Sequence, residues 1–212
     1  MFDIERPYEV FEHLLRSVPV ASRIKVDLRN RHLGRTRHYH GLLHLATMWQ
    51  IHRHLSPFNN AEYLLGSDCR IASAIAFHDA VYDATSKANE TRSALMWEES
   101  HEGNESDRDW VFNAIMATQN HMAERPLETA QDRLREWFVG LDLASLAAPW
   151  HDFLLNNRLI RLEYIHVSDE DWKTENGFFL RSLLDSPIIY RDSFLRDQFE
   201  ESARINLVKF LT

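Results

Sequence analysis

The stretch Ile71-Ala72-Ser73-Ala74-Ile75-Ala76-Phe77-His78-Asp79-Ala80-Val81-Tyr82-Asp83 is an apolar segment that abruptly presents a histidine and an aspartate. Ile71, Ile75, His78 and Tyr82 recur at helical spacing, and Asp79 lies one turn beyond Ile75, so both polar groups are expected to project toward a core. An unpartnered carboxylate is costly to bury. A divalent cation satisfies an imidazole and a carboxylate together, so further ligands should lie elsewhere in the chain.

Asp68 reads as the N-cap of this helix, which the pattern carries to about Ala84. Upstream, a helix between His38 and Leu55 places His40, His44 and Ile51 within an arc of about 40°, at about 100° per residue. Leu42, Leu45 and Trp49 line a separate apolar face of it, and Ser56-Pro57 ends it. Pro7 opens an earlier helix with a stripe of Phe11, Leu14, Leu15 and Val18, and a second spans about Ala21 to Leu33, stopping at Gly34. The basic link Arg35-Thr36-Arg37 leads into the histidine-bearing helix.

Downstream, Asn89-Glu90 opens a helix over Thr91 to His101. Ser106-Asp107-Arg108-Asp109 reads as a capping box ahead of Val111, Ala114, Ile115 and Thr118, with His121 closing that helix. Leu134, Phe138 and Leu141 mark another amphipathic helix, and Asp142, four residues past Phe138, is a second inward carboxylate. Trp150 to Val167, Phe178 to Leu184 and Phe194 to Leu211 also read as helical. With no strand alternation, repeat or linker, the expectation is all-α: one domain over residues 1–212, a bundle of about nine helices, its core at about 21–145 and helices of 150–212 packed on it.

The chain has 212 residues, 44% of them hydrophobic and 26% charged, as in an ordinary globular domain with a substantial core. Six glycines and six prolines fall mostly between the periodic segments, which favours helices over a turn-rich β fold. Net charge is -8, which argues against a nucleic-acid polymer as partner. Cys69 is the only cysteine, so neither an intramolecular disulfide nor a thiolate-rich metal site is expected. Met1 to Val10 has no apolar run of the kind a signal peptide needs, and no segment approaches the roughly 18 apolar residues of a membrane span. A cytoplasmic location is the expectation.

His44, then His78-Asp79, then Asp142 resembles the H…HD…D signature of the HD-domain metal-dependent phosphohydrolase superfamily. Arg37-His38-Tyr39-His40-Gly41-Leu42-Leu43-His44, Phe77-His78-Asp79-Ala80-Val81-Tyr82, Asn89-Glu90 with Ser93-Ala94, and Arg161-Leu162-Glu163-Tyr164 are similar to blocks of a bacterial family of predicted HD phosphohydrolases. The resemblance implies an HD-type helical fold and a metal held by His44, His78, Asp79 and Asp142. Two departures stand out. Gly140 occupies a place where that family is expected to carry an acid two residues before Asp142, and Phe178 follows Gly177 where an arginine is expected.

Two imidazoles and two carboxylates suit one six-coordinate Mn²⁺, Fe²⁺, Co²⁺, Ni²⁺ or Mg²⁺ better than structural zinc. An open site of this kind lowers the pKa of bound water and polarises a phosphoryl oxygen, so hydrolysis of a small phosphate ester, a nucleotide among the candidates, is the expected activity. Asp79 is expected to act on the water as well as ligate. Arg37 is a candidate for a bidentate grip on phosphate, His40 for binding substrate or orienting a ligand, and Glu90 and His121 for proton transfer or support of the ligands. Arg161 and Glu163 read as a structural ion pair, and His52, His54 and His101 as solvated surface. The competing expectation is a catalytically silent HD domain that binds metal or nucleotide as a sensor or docking module.

Overall fold

The computed structural model describes residues 6–212, and among them there is no strand. Ten α-helices follow one another: α1 Pro7–Ser17, α2 Ser22–His32, α3 Leu42–Leu55, α4 Asp68–Phe77, α5 Asn89–Ser100, α6 Glu105–Ala117, α7 Ala130–Asp142, α8 Trp150–Glu163, α9 Asp169–Asp185 and α10 Ser193–Leu211. The all-α architecture is the one expected. No described helix is long and apolar enough to cross a membrane.

Helix α4 is the axis of the fold. Every residue from Ile71 to Phe77 is buried, which is the signature of a helix surrounded on all sides. Packed against it are α1, α3, α5, α6 and α7. Large aromatics fill the intervening space: Phe77 meets Trp97 of α5 edge-on with centroids 5.2 Å apart, and Trp137 and Phe138 of α7 are fully buried. The last helix, α10, lies on α9 and on the 3₁₀ turn Leu143–Ala147 that continues α7, so the C-terminal helices join the core just beyond Asp142.

Several helix ends differ from the sequence expectation, each for a local reason. Asp68 is the first residue of α4 rather than its cap, and its carboxylate is taken by Arg53 and by His52 Nε2 at 3.1 Å. His52 is therefore not surface: it is fully buried, and its Nδ1 accepts the Trp137 indole N–H at 3.1 Å. His101 is half-buried against the Trp97 ring, while His54 is exposed. The cap of α6 is Asn104, whose side chain accepts from Asp107 N, not the expected box at Ser106. A true capping box starts α7, with Thr129 and Asp132 exchanging bonds. Helix α9 begins well before Phe178 because Ser168 caps it through Asp171 N, and its first turns are polar, so apolar spacing could not reveal them.

Candidate metal centre

The helix ends that carry the site are set by side chains from other elements. Helix α4 stops at Phe77, leaving His78 at its C-cap and Asp79 in the turn that follows. No glycine or proline ends it. Arg37 donates to the carbonyls of Asp79 and Ala80, Ser93 Oγ accepts from Val81 N at 3.0 Å and donates to Val81 O at 3.2 Å, and Asn89 pairs with both Asp83 N and Asp83 O. Backbone groups that a continuing helix would satisfy internally are satisfied from α5 and from the segment before α3. Helix α3 likewise starts at Leu42, not His38. The N–H groups of Tyr39 and His40 go to Glu163 Oε1, at 2.8 and 3.0 Å. Gly41 then passes so near α2 that a Cβ would lie 3.0 Å from the His32 carbonyl oxygen. His40 thus approaches from a loop, and does not share a helix face with His44.

His78 is the hub. Its Nδ1 lies 2.9 Å from the carbonyl oxygen of Ile75, and since a carbonyl only accepts, Nδ1 carries the proton. In the neutral ring Nε2 then presents a lone pair. Around Nε2 stand Asp79 Oδ2 at 3.0 Å, His44 Nε2 at 3.3 Å and Asp142 Oδ1 at 3.6 Å, and His44 Nε2 is itself 3.0 Å from Asp142 Oδ1. The ligand atoms of His44, His78 and Asp79 all lie within 4.8 Å of one another. A divalent ion about 2.1 Å from each donor separates ligands at right angles by about 3 Å, so this donor set fits such an ion.

The electrostatics point the same way. Burial opposes a charge on His78, but Asp79 and Asp142 outweigh it and hold its pKa well above the usual imidazole value. Burial likewise pushes both carboxyls up, and His78 more than reverses this, so Asp79 and Asp142 are held below the carboxylate range. Positive charge is thus favoured at the point where His78, Asp79 and Asp142 meet.

Behind the cluster, His121 Nε2 lies 2.7 Å from Asp142 Oδ2, leaving Oδ1 toward His44 and His78. The loop carrying His121 is held by Arg125, which donates to Asn120 O at 2.7 Å, to His121 O at 3.1 Å and, through Nε and Nη2, to Glu136 at 2.7 and 3.1 Å. Glu136 of α7 is only 1% exposed. Its role was invisible in the sequence.

Other expected site residues are placed differently. Arg37, a candidate for gripping phosphate, directs Nη1 and Nη2 to the carbonyls of His40, Asp79 and Ala80. Glu90 sits in the first turn of α5, half-buried, and its side chain makes no hydrogen bond to the described residues. Arg161 and Glu163 are not an ion pair: Arg161 bonds Asp169 at 2.7 Å, whereas Glu163 turns inward to His40 Nδ1 at 2.5 Å and accepts the Tyr82 hydroxyl at 3.0 Å. The similar block Arg161-Leu162-Glu163-Tyr164 was the one sequence signal for it.

Neither Gly140 nor Phe178 lies in the cluster of His44, His78, Asp79 and Asp142. Phe178 is exposed on α9. Gly140 is buried against α10, and a Cβ there would lie 2.7 Å from Leu195 Cδ1, so an acid at this position would meet leucine and Tyr190. Gly140→Asp is accordingly expected to lower stability by about 2 kcal/mol or more through overpacking and charge burial, without tightening metal binding. Urea unfolding and metal titration measure the two effects, and a stable variant with raised metal affinity would count against this placement. Comparison with protein-family models, curated proteins and solved structures found no match.

Proposed function

We propose that this protein is a metal-dependent phosphohydrolase of the HD-domain type, acting on a phosphate ester of a small metabolite with one divalent ion held by His44, His78, Asp79 and Asp142. The observation that carries the reading is the convergence of His44 Nε2, Asp79 Oδ2 and Asp142 Oδ1 on His78 Nε2, whose ring is oriented from behind by the Ile75 carbonyl. When bound, the ion supplies a Lewis acid that acidifies water and polarises a phosphoryl oxygen. The chain's own groups do the rest. His121 fixes the rotamer of Asp142. Asp79, whose other carboxylate oxygen makes no hydrogen bond to the described residues, takes a proton from the attacking water. His40 lies beside the ligands, its ring 6.0 Å from that of His44.

The net charge of -8 supports a small substrate over a nucleic-acid polymer. Native purification and metal analysis should find about one divalent ion per chain. Hydrolysis should then appear on a panel of phosphate esters and nucleotides with Mn²⁺, Co²⁺, Ni²⁺ or Mg²⁺. No metal after purification and none on reconstitution would reject the reading, and two ions per chain would bring His40 or His121 in as ligands. One observation favours the sensor alternative: the terminal nitrogens of Arg37 are already engaged by backbone carbonyls, which removes a ready phosphate grip. Nucleotide binding through the metal without turnover on the panel is the outcome that alternative expects.

A further inference from the structure

Glu163, the last residue of α8, is 9% exposed, and every hydrogen-bond partner of its side chain lies on the segment before α3 or the turn after α4. Oε1 accepts the N–H groups of Tyr39 and His40, while Oε2 accepts the Tyr82 hydroxyl and faces His40 Nδ1 at 2.5 Å. A carboxylate is the one common side chain that can take four donors at once. The His40 ring is also stacked on Tyr82, centroids 4.5 Å apart and 28° between planes. Two independent contacts thus fix one imidazole in one orientation. His40 Nε2, by contrast, makes no hydrogen bond to any described residue, and the side chain is 22% exposed beside His44.

We propose that Glu163 is a positioning residue: its carboxylate pairs with the His40 imidazolium through Nδ1–H, so that Nε2–H is the donor offered to a phosphate oxygen next to the His44, His78 and Asp79 cluster. This rests on the phosphohydrolase reading for the identity of the ligand, but not for the orientation of His40. The side chain that a plain structural ion pair would need, Arg161, is occupied by Asp169 and by two backbone carbonyls, so Glu163 is there for His40, Tyr39 and Tyr82.

The distinguishing change is Glu163→Gln. An amide can still accept the two backbone N–H groups through its oxygen, but its NH₂ would then face His40 Nδ1, which could meet a donor only by giving up its own proton. Imidazole ¹⁵N spectra of the full chain should show Nδ1 of His40 protonated in the wild type and unprotonated in Glu163→Gln. With Mg²⁺ present, inorganic phosphate should shift the His40 Nε2 signal in the wild type and at least about 3-fold less in the variant, whose ring is neutral and donates without charge assistance. Turnover of any substrate found should fall by about 10- to 100-fold in kcat, with KM and metal affinity changing less than about 3-fold. Glu163→Asp, which restores the charge, should recover Nδ1 protonation and circular dichroism should show all variants folded. An unprotonated Nδ1 in the wild type, or spectra and kcat untouched by Glu163→Gln, would overturn the proposal. A wild type that hydrolyses nothing yet passes both spectroscopic tests would sink the phosphohydrolase reading and leave the role of Glu163 standing.

Discussion

Asp79→Asn is expected to fold normally, to bind its divalent ion about 10- to 100-fold more weakly and to lose hydrolysis by at least about 100-fold under saturating metal. The amide keeps the volume and one carbonyl oxygen but removes a negative charge from a pocket with two carboxylates, Asp79 and Asp142, arranged around His78 Nε2. On the proposed reaction it also removes the base for the attacking water. The fold should survive because the contacts that hold the turn use the Asp79 backbone carbonyl, through Arg37, and not its side chain. A neutral amide is moreover cheaper to bury than an unpaired carboxylate. Phosphate release read beside circular dichroism separates these effects. A folded Asp79→Asn that matches wild-type turnover would place the active site elsewhere.

The chain announced its helices through apolar spacing, and the cluster of His44, His78, Asp79 and Asp142 through polar residues that broke that spacing. Ile71 and Ile75 are buried as expected, and Asp142 at the end of α7 turns its largely covered carboxylate to His44 and His78. What the spacing could not show is where a helix ends when neither glycine nor proline ends it. The turn at His78-Asp79 exists because Arg37, Ser93 and Asn89, all distant in sequence, take over the backbone groups of residues 79–83. Tertiary contacts overrode local propensity there, as they did at Tyr39-His40 through Glu163. Charge pairing misled for a similar reason. Arg161 and Glu163 are two residues apart, which on a helix puts them on different faces, so proximity in sequence was no guide to partners.

The second large effect is expected on stability, from Arg125→Ala. Glu136 is 1% exposed and its two oxygens are bound by Arg125 at 2.7 and 3.1 Å, while Arg135 and Arg191 stand farther off at 3.4 and 3.8 Å. Removing one partner of a buried pair leaves the other charge uncompensated, typically at a cost of about 3–5 kcal/mol. The two remaining arginines offset part of this, so about 3 kcal/mol is expected, read as a lower urea midpoint. Replacing both members, Arg125→Met with Glu136→Leu, should recover much of the loss because no charge is then stranded. The single variant should also weaken metal binding by about 10-fold, since Arg125 holds the His121 carbonyl and His121 orients Asp142. Glu136→Leu combined with Arg125→Met should regain stability without regaining that affinity, because the tie to His121 stays broken. Full recovery of both in the double variant would mean that the buried pair serves the fold alone and that His121 needs no help from Arg125 to hold its place against Asp142.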